Sequence, residues 1–320
     1  MMEIEKLKVS YLGRINEIKA VDRVSIQIRE GEALGIVGES GCGKSTLALS
    51  VLMLIRAPTS VSGKILFRGR NLLECSEREM ASIRGREIAM VFQDPMTFLN
   101  PTMKVIDQIS ESVHLYEGDK TEVRARTNEL LQMVYLSPDQ LAKLYPHELS
   151  GGMLQRAMIA MALAHRPSIL ILDEPTTALD VTIERQILTL LKELHQKFKM
   201  SILLITHNLG IICDLCERVY VMYAGKIVEV GDIYAIFENP LHPYLKGLLD
   251  SVLSIDEFKK TLVTIQGVVP DMANPPSGCR FHPRCKYAQE RCKQTEPTLM
   301  GTSDMEHFVA CWLYRGRGNA

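Results

Sequence analysis

Two stretches of the chain carry residues whose types and spacing could grip a polyphosphate and cleave it. The first is GESGCGKST, from Gly38 to Thr46. It fits G-x-x-x-x-G-K-[ST] at Gly38, Gly43, Lys44 and Ser45. Glycines at Gly38, Gly41 and Gly43 let backbone N–H groups curl around phosphate oxygens, with Ser40, Cys42 and Thr46 completing the binding loop. A helix starting there adds the positive end of its dipole. Lys44 supplies a point charge for the β- and γ-phosphates, and Ser45 offers a hydroxyl to Mg²⁺. The second stretch is ILILDEP, which ends in Asp173 and Glu174. An apolar run followed by two acids is how a buried strand delivers carboxylates to its C-terminal edge. Asp173 is placed to hold Mg²⁺, partly through water. Glu174 is placed to act as general base on an attacking water.

The neighbouring elements suit these roles. EALGIV precedes the phosphate loop as a strand, and TLALSVLML follows it as a helix. AMVF, ILILD and ILLITH are short apolar runs of the kind that form the buried strands of a parallel sheet. Up to about Val230, strand-like runs alternate with helical patterns, so the expected class is α/β. RVYVMYAGKIVEVG carries two strands around a turn at Ala224-Gly225, and GKILFRGRNL another strand and turn near Gly69. Between Met103 and His165 the strand signal gives way to VIDQISESVHLY, EVRARTNELLQMVYL and the run after Ser150, which predict an all-helical insertion. DIYAIF and LHPYLKGLLDSVL continue as helices, the second with Pro243 in its first turn. From Leu262 onward Pro, Gly and Cys dominate, the composition of a small loop-rich module that needs a staple.

The bulk properties narrow the class. The chain has 320 residues, 46% of them apolar and 23% charged, with a net charge of −1. That suits a large globular domain with an extension, or two domains, and the lack of a basic run argues against nucleic acid as partner. No apolar run approaches the ~18 residues that span a bilayer, and MMEIEKLKVS does not resemble a signal peptide. A cytoplasmic setting follows, with thiols kept reduced. The last four of eight cysteines then point to metal before disulfides.

LSGGMLQR, from Leu149 to Arg156, resembles the signature of the ATP-binding cassette family, usually LSGGQ, with Met153 where Gln is commoner. Gln93 after a strand resembles the family's Q-loop glutamine. Asp180 in TALD resembles the D-loop, His207 in ITHN the switch histidine, and Tyr11 in KVSY the aromatic that stacks on adenine. The resemblance implies a P-loop NTPase fold with a helical subdomain, binding ATP and Mg²⁺. It implies that Gln93 senses Mg²⁺ and the water, with Mg²⁺ held by Ser45, Gln93 and Asp173. His207 would bond the γ-phosphate. Ser150 with the amides of Gly151 and Gly152 would complete the site of a partner cassette, so that ATP lies between two such chains.

The tail narrows the branch. LHPYLKGLL and VVPDMANPPSGCRFHPRC closely resemble the C-terminal extension of dipeptide and oligopeptide importer ATPases, much of which nickel importers share. The expected division is an ATPase domain over 1–240, with its helical subdomain at about 97–165, and an extension over 241–320. Two membrane permease subunits, a second cassette (sister chain or copy) and, indirectly, an extracytoplasmic binding protein are the implied partners. The implied location is peripheral, on the cytoplasmic face of the membrane. An importer ATPase for nickel or another small solute is the nearer alternative; a non-transport cassette ATPase and an iron–sulfur regulatory protein are the alternatives of a different class.

Cys279, Cys285, Cys292 and Cys311 are spaced C-x5-C-x6-C-x18-C. Four thiolates suit a [4Fe–4S] cluster or Zn²⁺, and the absence of tight C-x2-C knuckles favours the cluster. His282 and His307 are possible substitutes in a mixed site. Arg280, Arg284 and Lys286 would moderate the cluster's negative charge. Cys213 and Cys216 fall on one helix face, which reads as buried packing. Cys42 reads as a filler in the loop that oxidants could reach.

Overall fold

The computed structural model describes residues 1–13, 16–56, 58–115, 119–177, 179–251, 265–302 and 306–314. The chain divides into two compact units. One holds Met1–Arg29, Leu34–Glu74 and Thr206–Ala320; the other holds Glu30–Ala33 and Cys75–Ile205.

The first unit begins with an antiparallel sheet. Strand Met2–Leu12 pairs with Glu17–Ile28 on one side and Thr59–Phe67 on the other, and the latter folds back onto Arg70–Asn71. One face is buried: Met2, Ile4, Leu7 and Val9 point inward with Val21, Val24, Ile26 and Ile28. That period-two alternation marks a half-buried strand. The alternating strand-and-helix reading of residues 1–230 overlooked it, because polar residues interrupt EIKAVDRVSIQI at every second or third position.

A second set of strands in this unit carries the phosphate loop. Ala33–Val37 runs parallel to Arg218–Tyr223, and both are buried along their whole length. Arg218–Tyr223 turns at Ala224 and Gly225, with φ of 44° and 77°, into antiparallel Lys226–Asp232. Positive φ at both turn residues matches the right-handed twist of the hairpin, as the sequence reading expected here. The tail then adds strands of its own. Phe308–Val309 pairs with Lys226–Asp232, and Met300–Gly301 pairs with Phe308–Val309.

A buried carboxylate fastens that tail. Glu229 has no exposed surface. It accepts hydrogen bonds from the Leu241 N–H at 2.9 Å, the His242 N–H at 2.6 Å and His307 Nε2 at 2.8 Å. A buried charge is tolerable only with such partners. Tyr223, Tyr244 and Phe281 pack on one another, with centroids 4.6 to 5.5 Å apart. The expected helix LHPYLKGLLDSVL is present as Pro243–Ser251, with Pro243 at its first position; the last two residues of that segment lie outside the described residues.

The second unit has a parallel core in which Ile169–Asp173 lies between Ile88–Val91 and Ser201–Thr206. Nearly all of these positions are buried, as short apolar runs predict. The helical insertion is present, principally as Val105–His114, Lys120–Met133 and Gly151–Ala162. Val105, Ile109 and Val113 recur every four residues and bury one stripe, the spacing an amphipathic helix requires.

Two cysteine expectations are corrected. Cys213 is exposed and Cys216 buried, because the helix Leu209–Leu215 ends before Cys216, which turns extended and inward beside Gly35. Cys42 has no exposed surface, and burial pushes its thiol up, so oxidants meet neither access nor thiolate.

His242 gives the fold a pH dependence. It is buried, and its Nδ1 accepts the Tyr244 N–H at 3.1 Å. Burial pushes its pKa from 6.5 down to about 3. Below 6.5 the unfolded chain takes a proton that the native ring refuses, so stability falls as the pH drops from 6.5 towards 3. In His242→Asn the amide oxygen can accept the same N–H without titrating. Between roughly pH 7 and pH 5, wild type should lose about 1–2 kcal/mol more stability than the variant in chemical unfolding. Parallel pH profiles would contradict this.

Candidate active site

The phosphate loop connects strand Ala33–Val37 to helix Lys44–Val51. Its curl is set by backbone that favours glycine: Gly41 has φ +78° and Gly43 φ +104°. A Cβ on Gly43 would stand 2.1 Å from the Ala20 carbonyl oxygen, whereas one on Gly41 would meet nothing within 4 Å. Gly38 is equally confined, with a Cβ 2.1 Å from the Met222 carbonyl. Inside the curl Lys44 is almost completely buried, and its Nζ donates to Gly38 O at 2.8 Å and Glu39 O at 3.1 Å. The loop is tied back by Gly225 N–H to Cys42 O at 2.8 Å. Gly43 serves as the N-cap without any side-chain cap, which leaves the first helical N–H groups directed out of the helix end.

Tyr11 reaches this region. Its hydroxyl and that of Thr46 are 3.2 Å apart, so the expected stacking residue is anchored to the loop's last position. His207 follows Thr206 in the same unit and is exposed. Asn208 next to it caps the helix Leu209–Leu215 by accepting the Gly210 N–H at 2.9 Å.

In the second unit the carboxylates sit as expected at the end of Ile169–Asp173. Asp173 and Glu174 are 5% and 8% exposed, so their charges are concentrated in a site with little water. Glu174 has φ +48°, a conformation unusual for a side-chain-bearing residue and common at functional sites. Its N–H is held by Ile205 O at 2.8 Å. Gln93 Nε2 donates to Glu174 Oε2 at 3.1 Å, and Thr177 Oγ1 donates to the same oxygen at 3.0 Å. Thr177 escaped the sequence reading; its spacing of three from Glu174 is the one available signal. Gln93 precedes the short helix Pro95–Phe98, which Asp94 caps, and Phe92 stacks on Phe98 with centroids 3.8 Å apart.

The signature also lies in this unit. Ser150 caps helix Gly151–Ala162, its side chain accepting the Met153 N–H at 3.4 Å. Gly152 is required by packing, since a Cβ there would come within 2.6 Å of Ile183. Asp180 caps helix Val181–Phe198, accepting N–H groups of Thr182 and Ile183 at 3.0 Å each.

The cysteines of the tail are drawn near one another. Cys279 N–H donates to Cys292 O at 2.8 Å. Burial pushes the Cys279 thiol up to about 12 and the Cys311 thiol to about 11, each opposed by a backbone hydrogen bond (from Phe281 and Leu313) and raised further by its sister thiols. Cys285 is raised by burial and opposed by a hydrogen bond from Tyr287. Gln289 N–H donates to Cys292 Sγ at 3.4 Å. Among the described residues, no group of three or more His, Cys, Asp or Glu side chains is arranged to hold a metal ion. His307 is committed to Glu229, and His282 Nδ1 is 2.9 Å from Cys279 O. The expected charge-moderating role of the arginines is also corrected. Arg280 is bound to Ala224 O and Asp22, and Arg284 to Glu39, so both guanidinium groups are taken up by the body of the unit.

Comparison with known proteins agrees with this geometry. Residues 21–177 match the ABC transporter family, and residues 228–292 match the C-terminal region of oligopeptide/dipeptide transporters. A dipeptide transport ATP-binding protein of Escherichia coli (strain K12) is 46% identical over 95% of this chain and 94% of its own length. An oligopeptide transport ATP-binding protein of Bacillus subtilis (strain 168) is 45% identical over 99% of this chain and 98% of its own length. A solved dimeric ATP-binding cassette in a post-hydrolysis state with ADP and phosphate is 29% identical, with a TM-score of 0.66, over 73% of this chain and 99% of that one.

Proposed function

This chain belongs to the dipeptide and oligopeptide branch of the ATP-binding cassette family, and from that premise we propose how its residues share the work of an importer's ATPase subunit. It hydrolyses ATP to energise uptake of peptides. The observation that carries the reading is the buried Lys44 inside a glycine curl, in a chain whose Glu174 is held by Gln93 and Thr177.

The division of labour follows the chemistry of each group. The loop amides from Gly38 to Thr46 and the Lys44 ammonium take the β- and γ-phosphates. Tyr11, fixed by Thr46, offers its ring to the adenine. Ser45, Asp173 and Gln93 are the residues that would hold Mg²⁺, each offering an oxygen of the hard kind that ion prefers, and the ion would draw charge from the phosphates. Glu174 takes the proton of the attacking water, with Gln93 and Thr177 fixing the carboxylate so that little reorganisation is needed. His207 donates to the γ-phosphate. Ser150, Gly151 and Gly152 present a helix N-terminus to the nucleotide of a second cassette, and Asp180 lies at that same junction. ATP binding closes the pair and hydrolysis opens it, moving two permease subunits that an external binding protein supplies. Among the described residues no helix is long and apolar enough to cross a membrane, which supports a peripheral attachment through those permeases. The ATPase portion is assigned to 1–240 and the extension to 241–320.

Cys279, Cys285, Cys292 and Cys311 are the residues that would hold a [4Fe–4S] cluster. What supports the reading is that every sulfur accepts a backbone N–H, the interaction that stabilises a thiolate once bound to metal; the four side chains are not arranged as a ligand set among the described residues. The cluster would staple a loop-rich module. Anaerobically purified protein should carry about four irons with matching sulfide per chain. Stoichiometric zinc without iron would overturn the assignment.

Glu174→Gln tests the motor. The variant should keep Mg-ATP affinity within about threefold while its turnover falls by at least about 100-fold, and peptide uptake by the assembled transporter should stop with it. Turnover within a few-fold of wild type would remove Glu174 from the role of base.

A further inference from the structure

Glu39 is an unexpected residue to find in a loop that binds polyphosphate. It follows Gly38 directly and puts a carboxylate into a segment that has to attract anions. The structure shows what offsets it. Arg284, from the cysteine-bearing tail, donates through Nη1 to Glu39 Oε2 at 2.6 Å and through Nη2 to Glu39 Oε1 at 3.1 Å, a two-pronged ion pair. The Arg284 side chain is only 6% exposed. Its remaining donors are also used: Nε goes to Gln266 O at 3.0 Å, and Nη1 lies 3.4 Å from the Tyr223 hydroxyl. The guanidinium is thereby locked in a fixed orientation that Lys could not reproduce.

Glu39 passes this constraint into the loop. Its N–H donates to the Tyr244 hydroxyl at 2.8 Å, and its carbonyl accepts Lys44 Nζ at 3.1 Å and the Cys42 N–H at 3.3 Å. The residue whose carboxylate Arg284 holds therefore also helps, through its backbone carbonyl, to seat the phosphate-binding ammonium. Arg280 acts on the far side of the loop. It donates to Ala224 O and to Asp22 Oδ2 at 2.6 Å, and the next residue, Gly225, holds Cys42 O. The tail thus reaches the loop at both ends of Glu39–Cys42.

We propose that Arg284 is a positioning residue for ATP binding: by clamping and neutralising Glu39 it holds the phosphate loop in the form that accepts the nucleotide. The tail module is then a working part of the ATP site. The role requires the phosphate-loop reading of Gly38–Thr46 but not a metal in the module.

A double-mutant cycle on the full-length chain tests it, reading Mg-ADP affinity by calorimetry and the ATP dependence of turnover in the assembled transporter. Arg284→Gln should weaken Mg-ADP binding about tenfold and raise KM for ATP in step, while kcat at saturating ATP stays within about twofold. Arg284→Lys should lose less, because the charge remains. Glu39→Gln combined with Arg284→Gln should bind no more weakly than Arg284→Gln alone, since the two residues act as one unit. Unchanged affinity in Arg284→Gln, or losses that add in the double variant, would overturn the proposal. If Arg284→Gln does not accumulate as folded protein, Arg284→Lys and Glu39→Gln decide it. Weakened binding with a near-native unfolding transition supports the role, and wild-type affinity in both overturns it.

Discussion

The structure turns on the close approach of the phosphate loop to the strands beneath it. Gly43 passes so near the Ala20 carbonyl, and Gly38 so near that of Met222, that neither position has room for a side chain. With φ of +104°, Gly43 also adopts backbone that a side chain would strain. This confinement rolls the chain around Lys44 and buries its ammonium against two loop carbonyls. The helix that follows begins without a side-chain cap, leaving its N–H groups for an anion. Everything else in the first unit can be understood as bracing for that curl.

The bracing is unusual in coming largely from the far end of the chain. The tail is stitched to the body by the short strand Phe308–Val309 and by the triply bonded Glu229, and its aromatic packing joins Phe281 to Tyr223 and Tyr244. Tyr244 touches the loop through Glu39. The cysteine-rich segment that follows then lies against this platform with Arg280 and Arg284 facing inward. A loop-rich module of this size has little core of its own, so its order depends on such docking. In the second unit the constraint is of another kind. Glu174 is held at positive φ, with its carboxylate shared by Gln93 and Thr177, which fixes the orientation of a carboxylate that is almost fully buried.

Much of this was legible in the sequence wherever a physical requirement maps onto adjacent residues. GESGCGKST shows its glycines in order, ILILDEP its buried strand and terminal acids, and Ala224-Gly225 its turn. What stayed hidden depends on residues far apart in the chain. Glu39 and Arg284 are 245 positions apart, and neither is informative without the other. His307 read as a spare metal ligand because nothing local reveals its bond to Glu229. Cys216 was placed on a helix face because its helix ends one residue earlier than the pattern suggests. The antiparallel pairing of Glu17–Ile28 was obscured by charged residues on its outer face.

The most direct measurement of the central constraint compares the two left-handed glycines of the loop. Gly41→Ala and Gly43→Ala both put a side chain on left-handed backbone, at a cost of about 1–2 kcal/mol or more, but only the second collides with a neighbour. With Mg-ATP binding and thermal unfolding measured on both, Gly41→Ala should keep affinity within about tenfold, whereas Gly43→Ala should lose it by at least about 100-fold. Wild-type affinity in Gly43→Ala would contradict the claim that this close-packed curl is what grips the nucleotide.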